Sequence, residues 1–429
     1  MSLLPTKAQK QIRSGSRRLR FDFGLLLAGQ ALNQGLTALA GLLVVRFLVP
    51  LEYSRYTLAV AGLNLGAIIA DAGLSAYIGR EAARLDEVQA GQLWRKALFL
   101  RVALSLLVWL TTILLTWVFP VLGEPGLALI TGLALFPAGI AALTTAFLNA
   151  RGFIPAGVGL NALNTLANFS LTILALFWLP EAAPLLAANV LAMSFAAGIL
   201  GRKARRAVTP LADTDRVKVS LATSFQYLAL LRASSGFMLI GLASVLFQYA
   251  DIYLVSALLN RAEVGRYGAA LRLLAIVTAI PTVWGIAALP RYVRRWQNQA
   301  GRNHLIQELK TWGWLLTGAG LAIALAGLFL TEPLVKLLLG PKYENVTGPL
   351  SLLWWSGAAI FASAAPVTYL TMLNQQHRIA LALFLADGFG LGLAALVAGP
   401  LGGGLIGVAL VRVATAWLLC GLYLYFARR

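Results

Sequence analysis

Apolar runs of about twenty residues, separated by short polar breaks, follow one another along almost the whole chain. About 20 predominantly apolar residues are needed for a helix to cross a bilayer. About twelve runs reach that length, at approximately 23–48, 56–79, 97–119, 127–148, 158–179, 184–201, 233–259, 267–289, 312–331, 351–373, 379–399 and 403–426. The pattern predicts an all-α integral membrane protein with about 12 transmembrane helices. Polar positions inside the runs fall on helical faces, because spacings of three and four return to the same side of a helix. Gln30, Asn33, Gln34 and Thr37 form such a face in the first span, Asn161, Asn164 and Asn168 in the fifth, and Ser244, Gln248 and Asp251 in the seventh. These faces either line water or hydrogen-bond between helices, where each bond contributes roughly 0.6 kcal/mol on average.

The pattern also repeats. Glu52-Tyr53-Ser54-Arg55-Tyr56 aligns with Glu263-Val264-Gly265-Arg266-Tyr267 at an offset of 211 residues, and Phe147-Leu148-Asn149 with Met372-Leu373-Asn374 at 225. Offsets near half the chain length predict two six-helix lobes of the same orientation, related by a pseudo-twofold axis along the membrane normal. The expected organisation is a basic tail (1–22), a first lobe (23–201), a linker (202–232) and a second lobe (233–429). Residues 219–231 are apolar but short, and predict a helix lying at the membrane interface. Pro137, Pro281 and Pro366 lie inside spans, where each removes a helix hydrogen bond and predicts a kink.

Composition agrees with the pattern: 59% of the residues are hydrophobic, 12% are charged and the mean hydropathy is +0.78. A soluble domain carries about 25% charged residues. The net charge of +19 is compatible with nucleic-acid binding only until its distribution is considered. Of the 35 Lys and Arg residues, 26 fall in the tail, the even-to-odd loops, the linker and the C-terminus. Positive loops remain cytoplasmic, so both termini are expected there and no nucleic-acid partner is expected. The basic face also favours anionic membrane lipids. The first apolar run is too long for a signal-peptide core and lacks a small-residue exit, so it is expected to be retained.

Seven ionisable residues lie inside the spans: Arg46, Asp71, Arg101, Asp251, Arg272, Asp387 and Arg412. A charge at the bilayer centre costs about 2.5–3.5 kcal/mol on insertion scales, so such residues face a bundle interior or a water-filled path. Helical rise places Asp251 and Arg272 within roughly 4–5 Å in depth on consecutive antiparallel spans, and Asp387 and Arg412 within about 7 Å. Each pair is either structural neutralisation or part of a site. Arg101 is close enough to a span end to extend toward water. No enzyme is expected. His304 and His377 have no cluster of ligands nearby, Cys420 is alone, no GxxxxGKS phosphate loop occurs, and the longest outer segment, about 331–350, is too short for a catalytic domain. These features describe a transporter with a charged cavity.

Several motifs carry a resemblance. Val45-Arg46-Phe47-Leu48-Val49-Pro50-Leu51-Glu52-Tyr53-Ser54-Arg55-Tyr56, then Ala70-Asp71-Ala72-Gly73-Leu74, resembles the opening of Wzx-type lipid-linked oligosaccharide flippases of the MOP exporter superfamily, relatives of MATE and MurJ-type transporters. Asp251-Ile252-Tyr253-Leu254, Val264-Gly265-Arg266-Tyr267, Arg272-Leu273 and Gly340-Pro341-Lys342-Tyr343 resemble later parts of the same pattern. The chain departs from it at Val49 and Ser54, where glycine is usual. The resemblance implies alternating access in the bacterial cytoplasmic (inner) membrane. It also implies an undecaprenyl-pyrophosphate-linked oligosaccharide as cargo, no cofactor beyond a coupling H+ or Na+, and polysaccharide polymerase and chain-length-control proteins as partners. Arg272 and Arg46 are the candidates for the pyrophosphate, because arginine presents a planar fork to phosphate oxygens. Gln30, Asn33 and Gln248 are candidates for sugar hydroxyls, and Asp251 and Asp71 for ion coupling. A MATE-like cation or drug antiporter and a non-transporting subunit of a polysaccharide synthase complex are the alternative readings.

Overall fold

The computed structural model describes residues 6–208, 222–296 and 302–428. Among these residues the chain is helical with no strand: α1 Thr6–Phe47, α2 Pro50–Asp71, α3 Leu74–Glu81, α4 Glu87–Val118, α5 Pro125–Leu133, α6 Leu135–Ala150, α7 Ile154–Trp178, α8 Ala182–Val208, α9 Ala222–Leu258, α10 Arg261–Trp296, α11 Arg302–Leu334, α12 Thr347–Met372, α13 Gln376–Ala398 and α14 Gly404–Arg428. Eleven segments are long and apolar enough to cross a bilayer, and the bent pair α2–α3, counted as one span, makes twelve.

The packing is twofold. In the first lobe α1 packs on α7, α7 on α8, α8 on α6, and α4 on α5 and α6. In the second, α9 packs on α13, α13 on α14, α14 on α12, and α11 on α12. Matched span by span, the two sets coincide. Between lobes α1 meets α10 and α2 meets α9, two contacts that exchange under the pseudo-twofold, while α2 meets α10 across the axis.

Several local features depart from the apolar pattern. The second span is not continuous: α2 and α3 meet at 45°. Ala72 and Gly73 have φ of 47° and 75°, a left-handed pair that ends one helix and begins the next. Asp71 supports the break, its Oδ1 accepting from Ser75 Oγ at 2.5 Å and its Oδ2 from the Ser75 amide at 3.3 Å. A Cβ at Gly73 would lie 2.3 Å from the Ser234 carbonyl oxygen on α9, so only glycine serves both the turn and the contact between lobes. Gly73→Ala is expected to lower stability by about 1–3 kcal/mol, the usual cost of a strained backbone residue. Gly318→Ala is the control, because nothing lies within 4 Å of its added Cβ. Thermal unfolding of the two variants in detergent checks the difference.

In the fourth span the regular helical hydrogen bonding lapses at Ala134, between α5 and α6, while the backbone stays right-handed helical, with Pro137 in the first turn of α6. There the proline N has no proton for the Leu133 carbonyl. Pro366, by contrast, lies within an unbroken α12. The interfacial helix expected at 219–231 is not separate. Residues 219–221 lie outside the described part, and from Ala222 onward the segment is the start of α9, a helix of 37 residues. At 1.5 Å per residue α9 is about 55 Å long, well beyond a hydrocarbon core of about 30 Å.

The stretch expected as an outer loop is also ordered. After α11 the chain makes a π-helical turn over Val335–Leu339 and a tight turn over Pro341–Val346. Buried Tyr343 donates from Oη to the Leu48 carbonyl oxygen at 3.2 Å, and Lys342 Nζ donates to that of Phe47 at 3.1 Å. This wedge, with Val44, Leu48, Tyr53, Tyr267 and Leu350, joins the lobes through a buried apolar cluster. A Cβ at Gly265 would lie 1.9 Å from the Pro50 carbonyl oxygen, so α2 and α10 touch backbone to backbone at the same end. The lobes are therefore sealed at the end that carries the α1–α2 and α9–α10 turns.

Candidate functional site

Next to this seal, between the lobes, lies a cavity of about 650 Å³. The first lobe contributes a wall of amides: Asn33 and Gln34 from α1, Asn64 from α2, Asn164 and Asn168 from α7, and Asn189 from α8. The second contributes Gln248 and Tyr249 from α9 and Arg272, Thr278 and Thr282 from α10. Among the described residues that line it, Arg272 is the only charged one.

Arg272 crosses the gap between lobes. Its Nη2 donates to the Thr37 carbonyl oxygen on α1, and its Nε, buried, has no hydrogen-bond partner. Gly41 makes room for this path, since a Cβ there would lie 1.7 Å from Nε. Across the cavity, Asn64 Nδ2 donates to Tyr249 Oη at 3.1 Å and joins α2 to α9. Thr165 Oγ1 donates to Asn33 Oδ1 and holds one amide of the wall in place.

A second polar site lies inside the second lobe, in a separate cavity of about 30 Å³. That is room enough for a water molecule. Asp251 Oδ2 accepts from Tyr267 Oη at 2.7 Å and from Arg412 Nη1 at 3.0 Å. Arg412 also donates to the Phe247 carbonyl oxygen at 2.5 Å, and its guanidinium carbon lies 4.5 Å from the Phe247 ring centroid. Asp387 lines the same small cavity, 8% exposed, with Oδ2 buried and unpartnered. Two carboxyl groups and one guanidinium thus share a confined space.

Of the residues singled out in the sequence, Arg272, Asn33 and Gln248 come together at the central cavity, whereas Gln30 and Arg46 are not among its lining residues. Arg46 is exposed near the sealed end and donates to the Leu337 carbonyl oxygen. Asp251 and Arg272 do not pair. Rise along a helix predicts depth but not direction. At about 100° per residue, Tyr267, which reaches Asp251, and Arg272 point about 140° apart on α10. Asp387 and Arg412 share a cavity, but the arginine's ion pair is with Asp251. Asp71 lies away from both cavities, 3.6 Å from Arg101. Arg101 is 3% exposed and donates to the Ala67 carbonyl oxygen at 2.9 Å, so it turns inward instead of extending to water. Asn64, Asn189, Tyr56 and Tyr249 were not anticipated as lining residues. Asn64 and Asn189 stand as single amides in apolar runs, which was the available signal.

The family model for polysaccharide biosynthesis proteins matches residues 21–296, more than half of the chain. The chain belongs to this family. A comparison with curated proteins gives no match. Solved structures extend the likeness to the second lobe. A lipid II flippase MurJ in an inward closed conformation has a TM-score of 0.71 at 14% identity, over 94% of this chain and 87% of that one. An inward-facing multidrug resistance MATE family transporter of the MOP superfamily has a TM-score of 0.70 at 15% identity, over 92% and 94%. An outward-facing structure of the same description has 0.63 at 16%, over 95% and 94%. At these identities the likeness is one of fold, and the fold is that of the MOP transporters.

Proposed function

We propose that the protein flips a polyprenyl-diphosphate-linked oligosaccharide across the cytoplasmic membrane for cell-surface polysaccharide synthesis, such as O-antigen or exopolysaccharide. The observation that carries the reading is Arg272, the one charged residue lining a cavity of amides and hydroxyls between two lobes. A guanidinium presents paired donors to phosphate oxygens. The amides both donate and accept hydrogen bonds, as sugar hydroxyls do. A cation or drug antiporter is disfavoured because no carboxylate is among the described residues that line this cavity.

The charge distribution of the loops assigns the linker end to the cytoplasm, which makes the sealed end the outer one and this conformation inward-facing. The higher score of the inward-facing MATE structure over the outward-facing one agrees with that orientation. Rocking of the lobes about the pseudo-twofold then exposes the cavity to the other side. Coupling to H+ or Na+ belongs to the second-lobe cluster, where Asp251 is tied to Arg412 and Tyr267 and Asp387 retains an unpartnered oxygen. Polysaccharide polymerase and chain-length-control proteins are the natural partners of this activity.

The test is flipping by purified protein in proteoliposomes, read with a fluorescent undecaprenyl-diphosphate oligosaccharide and a membrane-impermeant quencher. Protein-dependent transfer of the lipid-linked sugar is the expected result. Transport of organic cations in the same vesicles without lipid-linked sugar transfer defeats the reading.

A further inference from the structure

We infer that the glycan this protein carries is built from uncharged sugars, and that units bearing a carboxylate are selected against. The inference rests on the lipid-linked oligosaccharide reading and narrows it to a class of cargo. The argument is one of charge matching. A diphosphate linkage brings at least two negative charges at neutral pH, and among the described residues the lining of the cavity offers one cation, Arg272. The anionic linkage alone therefore exceeds the charge that the walls compensate. A further carboxylate on the glycan has no cationic partner there, and a desolvated, unpaired charge is strongly disfavoured. Water relieves this while the cavity is open. It does not when the lobes close around the cargo, as alternating access requires.

The wall opposite Arg272 has matching chemistry. Asn64, Asn164, Asn168 and Asn189 present amides to the cavity region. An amide offers both donors and an acceptor, whereas a carboxylate only accepts. Sugar hydroxyls and acetamido groups satisfy both sides of an amide. A carboxylate leaves the amide oxygen facing another oxygen. Of the other spanning charges, Asp251 holds Arg412, Asp71 lies beside Arg101, Asp387 lines the second-lobe cavity, and Arg46 donates to the Leu337 carbonyl oxygen without lining the central one.

The experiment uses two fluorescent undecaprenyl-diphosphate trisaccharides that differ only at C6 of one hexose, a hydroxymethyl in one and a carboxylate in the other. Full-length protein in proteoliposomes is expected to flip the neutral lipid at least tenfold faster. A variant with a second cation in the amide wall, Asn189→Lys, is expected to reduce that ratio several-fold at matched reconstituted protein. Equal wild-type rates for the two lipids, or faster transfer of the acidic one, overturn the inference while leaving the flippase reading standing. Transfer of neither lipid by protein that is folded and inserted overturns the flippase reading and this inference with it.

Discussion

Arg272→Ala is expected to abolish transfer of a lipid-linked oligosaccharide while the protein still inserts and folds. The expected loss exceeds a hundredfold. Hydrogen bonds to charged groups contribute about 1.5–3 kcal/mol each, and a guanidinium–phosphate contact supplies two of them in parallel. Folding is expected to tolerate the change, because Arg272 makes no ion pair with a protein carboxylate and its hydrogen bond is to a backbone carbonyl on α1. Arg272→Lys retains part of the activity, since it keeps the charge and loses the planar fork. Gly41→Ala is a companion test that leaves the arginine in place. The added methyl would occupy the position of Arg272 Nε and displace the guanidinium from its path to Thr37. It is expected to slow flipping at least tenfold at an unchanged protein level. Flipping at the wild-type rate by Arg272→Ala, at matched reconstitution, removes the arginine from the site.

Asp251→Asn has the second large effect, and here stability and coupling must be separated. The carboxylate is 8% exposed and is tied to Arg412 and Tyr267. Its neutralisation leaves a guanidinium buried without its ion pair, a loss of roughly 3–5 kcal/mol. Depletion of the variant from the membrane is the expected result, seen by immunoblot and by thermal unfolding in detergent. The double variant Asp251→Asn with Arg412→Gln removes both charges and is expected to recover most of the protein level. It should not recover gradient-driven, concentrative flipping if the cluster couples the ion. Asp387→Asn addresses the same point without touching the pair. It should leave protein abundance near wild type and lose the dependence of flipping on the ion gradient. Full concentrative transport by the double variant would restrict the cluster to a structural role.

The parts of this protein legible in the sequence are those set by the bilayer. Hydrocarbon cannot satisfy a backbone N–H or C=O, so an apolar run of sufficient length has to be a helix. That argument alone located the spans near Arg272, Asp251 and Asp387. The repeat of Glu52–Tyr56 at Glu263–Tyr267 was equally readable, because both segments begin the second helix of a lobe at equivalent turns. The break at Ala72–Gly73 was not. Asp71 and Gly73 stand there in an otherwise apolar run, and the close approach that Gly73 makes at the bend is to Ser234, 161 residues further along the chain. The wedge at Pro341–Val346 was hidden for a similar reason, since its burial depends on carbonyls of the other lobe.

The candidate site divides along the same line. Spacing along a helix puts Asn33 and Thr37 on one face of α1, and an arginine within a span has to find a polar environment, so much of the cavity's chemistry was already present in the sequence. Tertiary structure decided which charge faces which. Gln248 and Asp251 are three residues apart and about 60° apart around α9, enough for the amide to reach the cavity between the lobes and the carboxylate the interior of the second lobe. Arg412, not Arg272, became the partner of Asp251 because pairing needs direction as well as depth, and direction follows from how α9, α10 and α14 are rotated against one another. The sequence determined that charges are buried in a bundle of helices; the packing of the helices determined that, among the described residues, one arginine faces the cavity between the lobes.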